Sequence, residues 1–162
     1  MPAQLTGTVT LLDAMAFAAT GGSGHQLILD SALEHGGSNR GPQPMELLLL
    51  GLGGCTGMDV ISLLRKMRQD VSAYQVDLEA VRAEEHPRVM TDISIIHVVH
   101  GRRLDARLVQ RAIELSATRY CPASAMLSKA AVIHHRYRLI DAMDGTTQEG
   151  LVVDTPIPGQ GS

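Results

Sequence analysis

Aromatic side chains are nearly missing from this sequence: 162 residues contain one Phe, three Tyr and no Trp. A core built from such a chain must be aliphatic. The stacking platforms on which proteins hold single-stranded nucleic acid are not available. An excess of positive charge is also missing. The formal net charge is −3, which argues against a nucleic-acid partner held through its phosphates. Of the fourteen basic residues only Lys66 and Lys129 are lysines, and no partner follows from that bias. The opening MPAQLTGTVT has neither the basic cluster nor the apolar run of a signal peptide. The longest apolar stretch, Leu47 to Met58, is bounded by Glu46 and Asp59 and is shorter than the roughly 20 residues a bilayer requires. The reading is a soluble, cytoplasmic protein with no membrane partner. In that reducing compartment two cysteines are not expected to form a permanent structural disulfide.

Several chemistries lack their motifs. No Cys/His cluster has zinc spacing, so no metal is expected. No Gly-x-Ser-x-Gly elbow supports a serine hydrolase. GLGGCTG resembles a dinucleotide-binding loop, but its third glycine position is Thr56, and it sits inside a helix pattern. His97 and His100 are three apart on a strand pattern and so face opposite sides. His134 and His135, being adjacent, do the same.

What is present is a globular composition, 44% hydrophobic and 19% charged, which suits one domain. Residues 5–30 read as two or three short strands joined by tight turns, and GGSNRGPQP as a loop. A long helix is expected from Pro44 to about Asp70, with Pro44 suited to the first helical position and Glu46 to the positive end of the dipole. Its first half is apolar on every face, so it should be buried all round. One small sheet cannot achieve that, and the simplest second layer is a symmetry-related subunit. The glycines at 51, 53, 54 and 57 fit a close approach of another backbone. AYQVDLEAVRAEE and RVMTDISIIHVVHG alternate as a hairpin around His86-Pro87. LDARLVQRAIELSATRY follows as a surface helix broken at Cys121-Pro122, PASAMLSKA as a short helix, and AVIHHRYRLID as a final strand. The expectation is a single domain over residues 1–154 with a flexible tail at 155–162.

The chemistry-bearing candidates are the two thiols. Cys121 precedes Pro122 and so sits at a helix start, where free N–H groups favour a thiolate. A small buried hydrophobe at that place reads equally well. Cys55 lies in the apolar helix, where burial holds a thiol protonated unless a cation reaches it. Arg40, in the loop before the helix, could supply that cation or could simply be solvated.

The segment GPQPMELLLLGLGGCTGMDVISLL resembles the central helix of the OsmC/Ohr family, in particular its YhfA-like branch. The second thiol in RYCPASAML, 66 positions after the first, matches as well. The resemblance runs from about residue 5 to 141. It implies an α+β fold in which two chains intertwine as a homodimer, with antiparallel sheets around a long buried helix carrying Cys55. It also implies a thiol peroxidase without cofactor, acting on an organic hydroperoxide. Cys55 would attack the peroxide, Cys121 would resolve the sulfenic acid as a disulfide, and a dithiol reductant would restore the pair. On this reading the catalytic group is Cys55, Cys121, Arg40 and Glu46. The family's early-turn Arg is replaced here by Ser23. Its Glu directly after the helix-start Pro is replaced by Met45, with Glu46 about 100° further round the helix. Two other readings stay open: a non-catalytic module holding a small acyl ligand in an apolar cleft, and a redox sensor.

Overall fold

The computed structural model describes residues 4–155, and the chain divides into two compact units, residues 1–48 and 49–162. In the first unit three strands, β1 (Gly7–Asp13), β2 (Ala16–Gly21) and β3 (Gln26–Leu29), pair antiparallel in sequence order. A one-turn 3-10 segment, Leu33–His35, follows. The loop after it wraps the buried carboxylate of Asp30, and two glycines make this possible. A Cβ on Gly37 would lie 1.9 Å from the Ser31 carbonyl oxygen, and one on Gly41 would lie 2.1 Å from that of Ile28.

The long helix α1 (Pro44–Lys66) begins where its proline predicts, and Glu46 accepts a hydrogen bond from the Gln43 backbone N–H at 2.7 Å. It ends at Lys66, short of the expected Asp70. Arg68 takes a left-handed φ of 58°, and the Gln69 N–H closes back on the Leu64 carbonyl. Strand β4 then starts at once.

The second unit is a four-stranded sheet in the order β4 (Asp70–Arg82), β5 (Met90–Arg102), β6 (Val132–Asp141), β7 (Thr147–Thr155). β4 and β5 form the expected hairpin, whereas β5 and β6 run parallel. The intervening helices carry the chain back to the starting end of the sheet, as a parallel pair demands. β7 was not anticipated. Its segment TQEGLVVDT opens polar and contains a glycine, which weakens the alternation that marks a strand. Of the expected tail, Thr155 closes β7 and the rest lies outside the described residues.

Helix α2 (Ala106–Leu115) is capped by Asp105, whose carboxylate accepts from the Arg107 N–H at 2.9 Å. The sequence suggests one helix through Tyr120. The structure instead widens into a π-helical turn over Ser116–Tyr120 before α3 (Pro122–Leu127). Val60 and Leu64 of α1, Val99 of β5, Val109 and Ile113 of α2, and Leu139 of β6 form the aliphatic core.

Within one chain α1 buries a single stripe: Leu52, Gly53, Thr56, Gly57, Val60 and Leu64. Leu50 and Met58 remain 55% and 75% exposed, so the all-round burial expected of this helix is not achieved by one chain. The glycines divide in the same way. Gly53 and Gly57 admit the side chains of Leu78 and Val76 from β4, while Gly51 and Gly54 face open space.

Candidate active site

The two thiols, 66 positions apart in sequence, are near enough in space for Cys121 to raise the pKa of Cys55. Cys55 lies on α1 and is partly accessible. Cys121 is 3% exposed at the start of α3, where its sulfur accepts from the Ser124 N–H at 3.3 Å. Both are free thiols. Burial pushes the Cys55 thiol up, and the side chain of Cys121 and the charge of Asp59 push it further. The backbone N–H of Ala123 opposes them by favouring the thiolate. The sequence reading placed helix-start N–H groups beside Cys121 alone, but those of α3 serve both sulfurs.

A polar chain ties the two thiol-bearing segments together. The Ser116 hydroxyl is 3.1 Å from Asp59 Oδ2 and 2.9 Å from Thr56 Oγ1. An ionised carboxylate can only accept, so Ser116 gives its proton to Asp59 and accepts from Thr56. Thr56 and Ser116 are both fully buried, and polar groups so placed must be paired. Thr56 follows Cys55 in the chain. The Ser116 carbonyl accepts from the Cys121 N–H at 2.9 Å. Nothing in the sequence marks this trio, because Ser116 reads as an ordinary position of a continuous helix.

Arg40 lies in the first unit, where its guanidinium pairs with Asp13 and lies 3.6 Å from Asp30. Both carboxylates escape a reading based on spacing. Asp30 is 2% exposed. Burial pushes its carboxyl up, but the N–H groups of Arg40, Ser31 and Ser38, with the Arg40 charge, outweigh this and leave it below its usual range. The carboxylates at Arg40 are thus Asp13 and Asp30, and Glu46 is engaged at the helix start.

The core of the second unit contains a row of rings. Tyr74, His97 and His135 sit on neighbouring strands and stack, with centroids 6.1 Å and 5.9 Å apart. The Tyr74 hydroxyl and His97 Nδ1 are 2.6 Å apart. Among the described residues, His97 Nε2 and both His135 nitrogens have no hydrogen-bond partner. Burial lowers the His97 pKa to about 3 and that of His135 to about 4. Both rings are therefore neutral at pH 7. Among the described residues no group of three or more His, Cys, Asp or Glu is placed to hold a metal ion.

A family model described as OsmC-like protein matches residues 36–136, a span that contains both thiols. The chain is 40% identical over 134 residues to protein YhfA of Escherichia coli K12, covering 83% of this chain and 97% of that one. The crystal structure of a hypothetical protein from Aquifex aeolicus matches with a TM-score of 0.76 at 26% identity, over 86% of this chain and 98% of that one. An organic hydroperoxide resistance protein OsmC from Legionella pneumophila matches with a TM-score of 0.58 at 14% identity, over 82% and 95%. At that identity the likeness is one of fold.

Proposed function

The chain belongs to the OsmC-like family, and we propose that it is a cytoplasmic thiol peroxidase that reduces organic hydroperoxides through Cys55 and Cys121. The observation that carries this reading is the pairing of a partly accessible thiol with a buried one on two different elements, close enough that Cys121 bears on the ionisation of Cys55. The hydroperoxide-resistance protein among the structural matches points the same way.

The Cys55 thiolate attacks one peroxide oxygen. An S–O bond forms, the O–O bond breaks, and the departing alkoxide takes a proton to become the alcohol. The Cys121 thiolate then attacks the Cys55 sulfur, and hydroxide leaves as water. The protein has lost two electrons to the peroxide, and an external dithiol returns them by exchange. Accessibility gives the first role to Cys55, since a sulfur that is 3% exposed meets a sulfenic acid next to it more readily than a substrate from solvent. Arg40 is the cation we assign to the Cys55 thiolate by the family resemblance; within the first unit it is held by Asp13 and Asp30. Glu46 then acts at the start of α1, and no contact with Arg40 is assigned to it.

The expected preference is for alkyl over hydrogen peroxide. Leu52 and Val60 of α1 are fully buried in the core and offer a substrate no surface. The exposed apolar side chains on the thiol side of α1 are Leu48, two turns before Cys55 and 52% exposed, and Met58, one turn on and 75% exposed. Each methylene buried there contributes roughly 0.8 kcal/mol. A four-carbon alkyl group could then gain about 3 kcal/mol, or roughly 100-fold in rate constant, as an upper limit. Side-by-side kcat/KM values for tert-butyl hydroperoxide and hydrogen peroxide with dithiothreitol test this. A ratio near one would remove the substrate assignment.

The exposed face of α1 is assigned to a second copy of the chain. Leu50, Gly54, Met58 and Ile61 line an apolar groove of about 380 Å³ with Val76 and Leu78, and large apolar patches on soluble proteins are ordinarily covered. Sedimentation at micromolar concentration should show a dimer, and a folded monomer would contradict it. The same groove supports the acyl-binding reading. An acyl molecule retained in native mass spectrometry, with no peroxide turnover, would select it.

A further inference from the structure

We propose that Ser116, held between Asp59 and Thr56, is a positioning residue for the disulfide step, fixing the Cys121 segment against the Cys55 segment. The proposal rests on the thiol-pair chemistry above. Its basis is a connected set of contacts that runs from the side chains of Thr56 and Asp59, one and four residues after Cys55, to the backbone N–H of Cys121. Asp59 stands one helical turn beyond Cys55, and Thr56 is its neighbour. The Ser116 side chain bonds to both of these α1 residues, while its main-chain carbonyl holds the Cys121 N–H. The last of these bonds closes a five-residue π-helical turn. Such turns are rare and are frequently found at functional sites. Here the turn supplies the extra residue that places Cys121 at the start of α3 rather than on the continuing face of α2.

The step that depends on this geometry is attack by the Cys121 thiolate on oxidised Cys55. The S–S bond forms as the Cys55 S–O bond breaks and hydroxide is released as water; the oxidant is the hydroperoxide consumed in the preceding step. A displacement at sulfur requires the attacking atom in line with the leaving group. A misplacement of about 1 Å can slow such a reaction on the order of 100-fold.

Asp59 has a second, separable effect. Its negative charge raises the pKa of Cys55, so it opposes thiolate formation even while it anchors Ser116. Asp59→Asn retains an acceptor for the Ser116 hydroxyl and removes the charge. Ser116→Ala removes the link and keeps the charge.

The test is stopped-flow oxidation by tert-butyl hydroperoxide, with sulfenic acid trapping and disulfide mapping, repeated with oxidised glutathione. Glutathione closes the same pair without peroxide: its mixed disulfide with Cys55 is displaced by Cys121, releasing glutathione thiolate. Ser116→Ala should slow closure roughly ten- to a hundred-fold in both arms, with sulfenic acid accumulating in the first. Ser116→Thr, which keeps a hydroxyl, should restore much of the rate. Asp59→Asn should close at near the wild-type rate while its pH profile for Cys55 oxidation moves to lower pH. Closure of Ser116→Ala at the wild-type rate with glutathione would overturn the proposal. So would an Asp59→Asn variant that slows closure as much and leaves the pH profile in place. If wild type closes with glutathione but ignores the hydroperoxide, the peroxidase reading fails, and the Ser116 result in the glutathione arm still decides this one.

Discussion

Cys55→Ser is expected to abolish hydroperoxide consumption altogether, whereas Cys121→Ser should consume one equivalent and stop. The difference follows from the order of the two bond-making steps. Only the attacking sulfur is needed to break the O–O bond, and only the second sulfur converts the sulfenic acid into a form that a dithiol can recycle. The proposed order of roles follows the accessibility of the two thiols, one partly open and the other 3% exposed. Arg40→Ala belongs in the same single-turnover series. It should react more slowly than wild type and need a higher pH to reach the same rate, because a partly buried thiol that loses a cation ionises less readily. Rapid mixing with a stoichiometric hydroperoxide reads all three variants. A Cys55→Ser variant that still consumed its equivalent would reverse the roles, and an unmoved pH profile in Arg40→Ala would remove that residue from the site.

Acid should destabilise this protein well before its carboxylates titrate. His97 and His135 have folded-state pKa values lowered from 6.5 to about 3 and about 4. The unfolded chain therefore binds both protons as pH falls below 6.5 while the folded chain does not. Stability present above pH 6.5 is lost progressively down to pH 3–4. Each proton costs about 1.36 kcal/mol per pH unit in that window, so two cost roughly 2.7 kcal/mol per unit. A fall to pH 5 then removes about 4 kcal/mol, against a total of roughly 5–15 kcal/mol for a typical domain.

His134 works in the other direction. Asp154 and Asp92 raise its pKa, so it contributes stability below pH 6.5 that is lost as pH rises through its folded value. It is only half-buried beside solvent-exposed carboxylates, and such pairs contribute little. The two core rings decide the sign. Urea unfolding at pH 7 and pH 5 checks it, and a stability that does not change between them would refute the account of the ring stack. His135→Phe offers a sharper comparison. Among the described residues neither His135 nitrogen has a partner, so the replacement breaks none of their hydrogen bonds and should flatten the pH dependence by one proton.

Elements with strong local signals were legible in the sequence, among them Pro44 at the head of α1, the β4–β5 hairpin and the Pro122 start of α3. The α+β fold that the family resemblance implied is the one observed. What escaped depends on partners distant in the chain. β7 is a strand because β6 offers it an edge, not because TQEGLVVDT alternates. The π-helical turn cannot be seen in the composition of SATRY, since what sets it is the contact of Ser116 with α1. His97 and His135 show no motif along either strand, and they meet only because β5 and β6 are neighbours. The candidate site divides in the same way. Both thiols stand out in the sequence as candidates, and what surrounds each of them does not. The N–H of Ala123, the charge of Asp59 and the Arg40 partners Asp13 and Asp30 all come from tertiary placement.

The central claim is that Cys55 and Cys121 form one redox unit driven by an organic hydroperoxide. The most direct measurement is the mass and disulfide map of reduced wild-type protein after one equivalent of tert-butyl hydroperoxide per chain, with no reductant present. The account predicts loss of two hydrogens, a single Cys55–Cys121 linkage within the chain and one equivalent of tert-butyl alcohol. Two thiols still titratable after the peroxide is added, or an oxidised Cys55 that never links to Cys121, would contradict it.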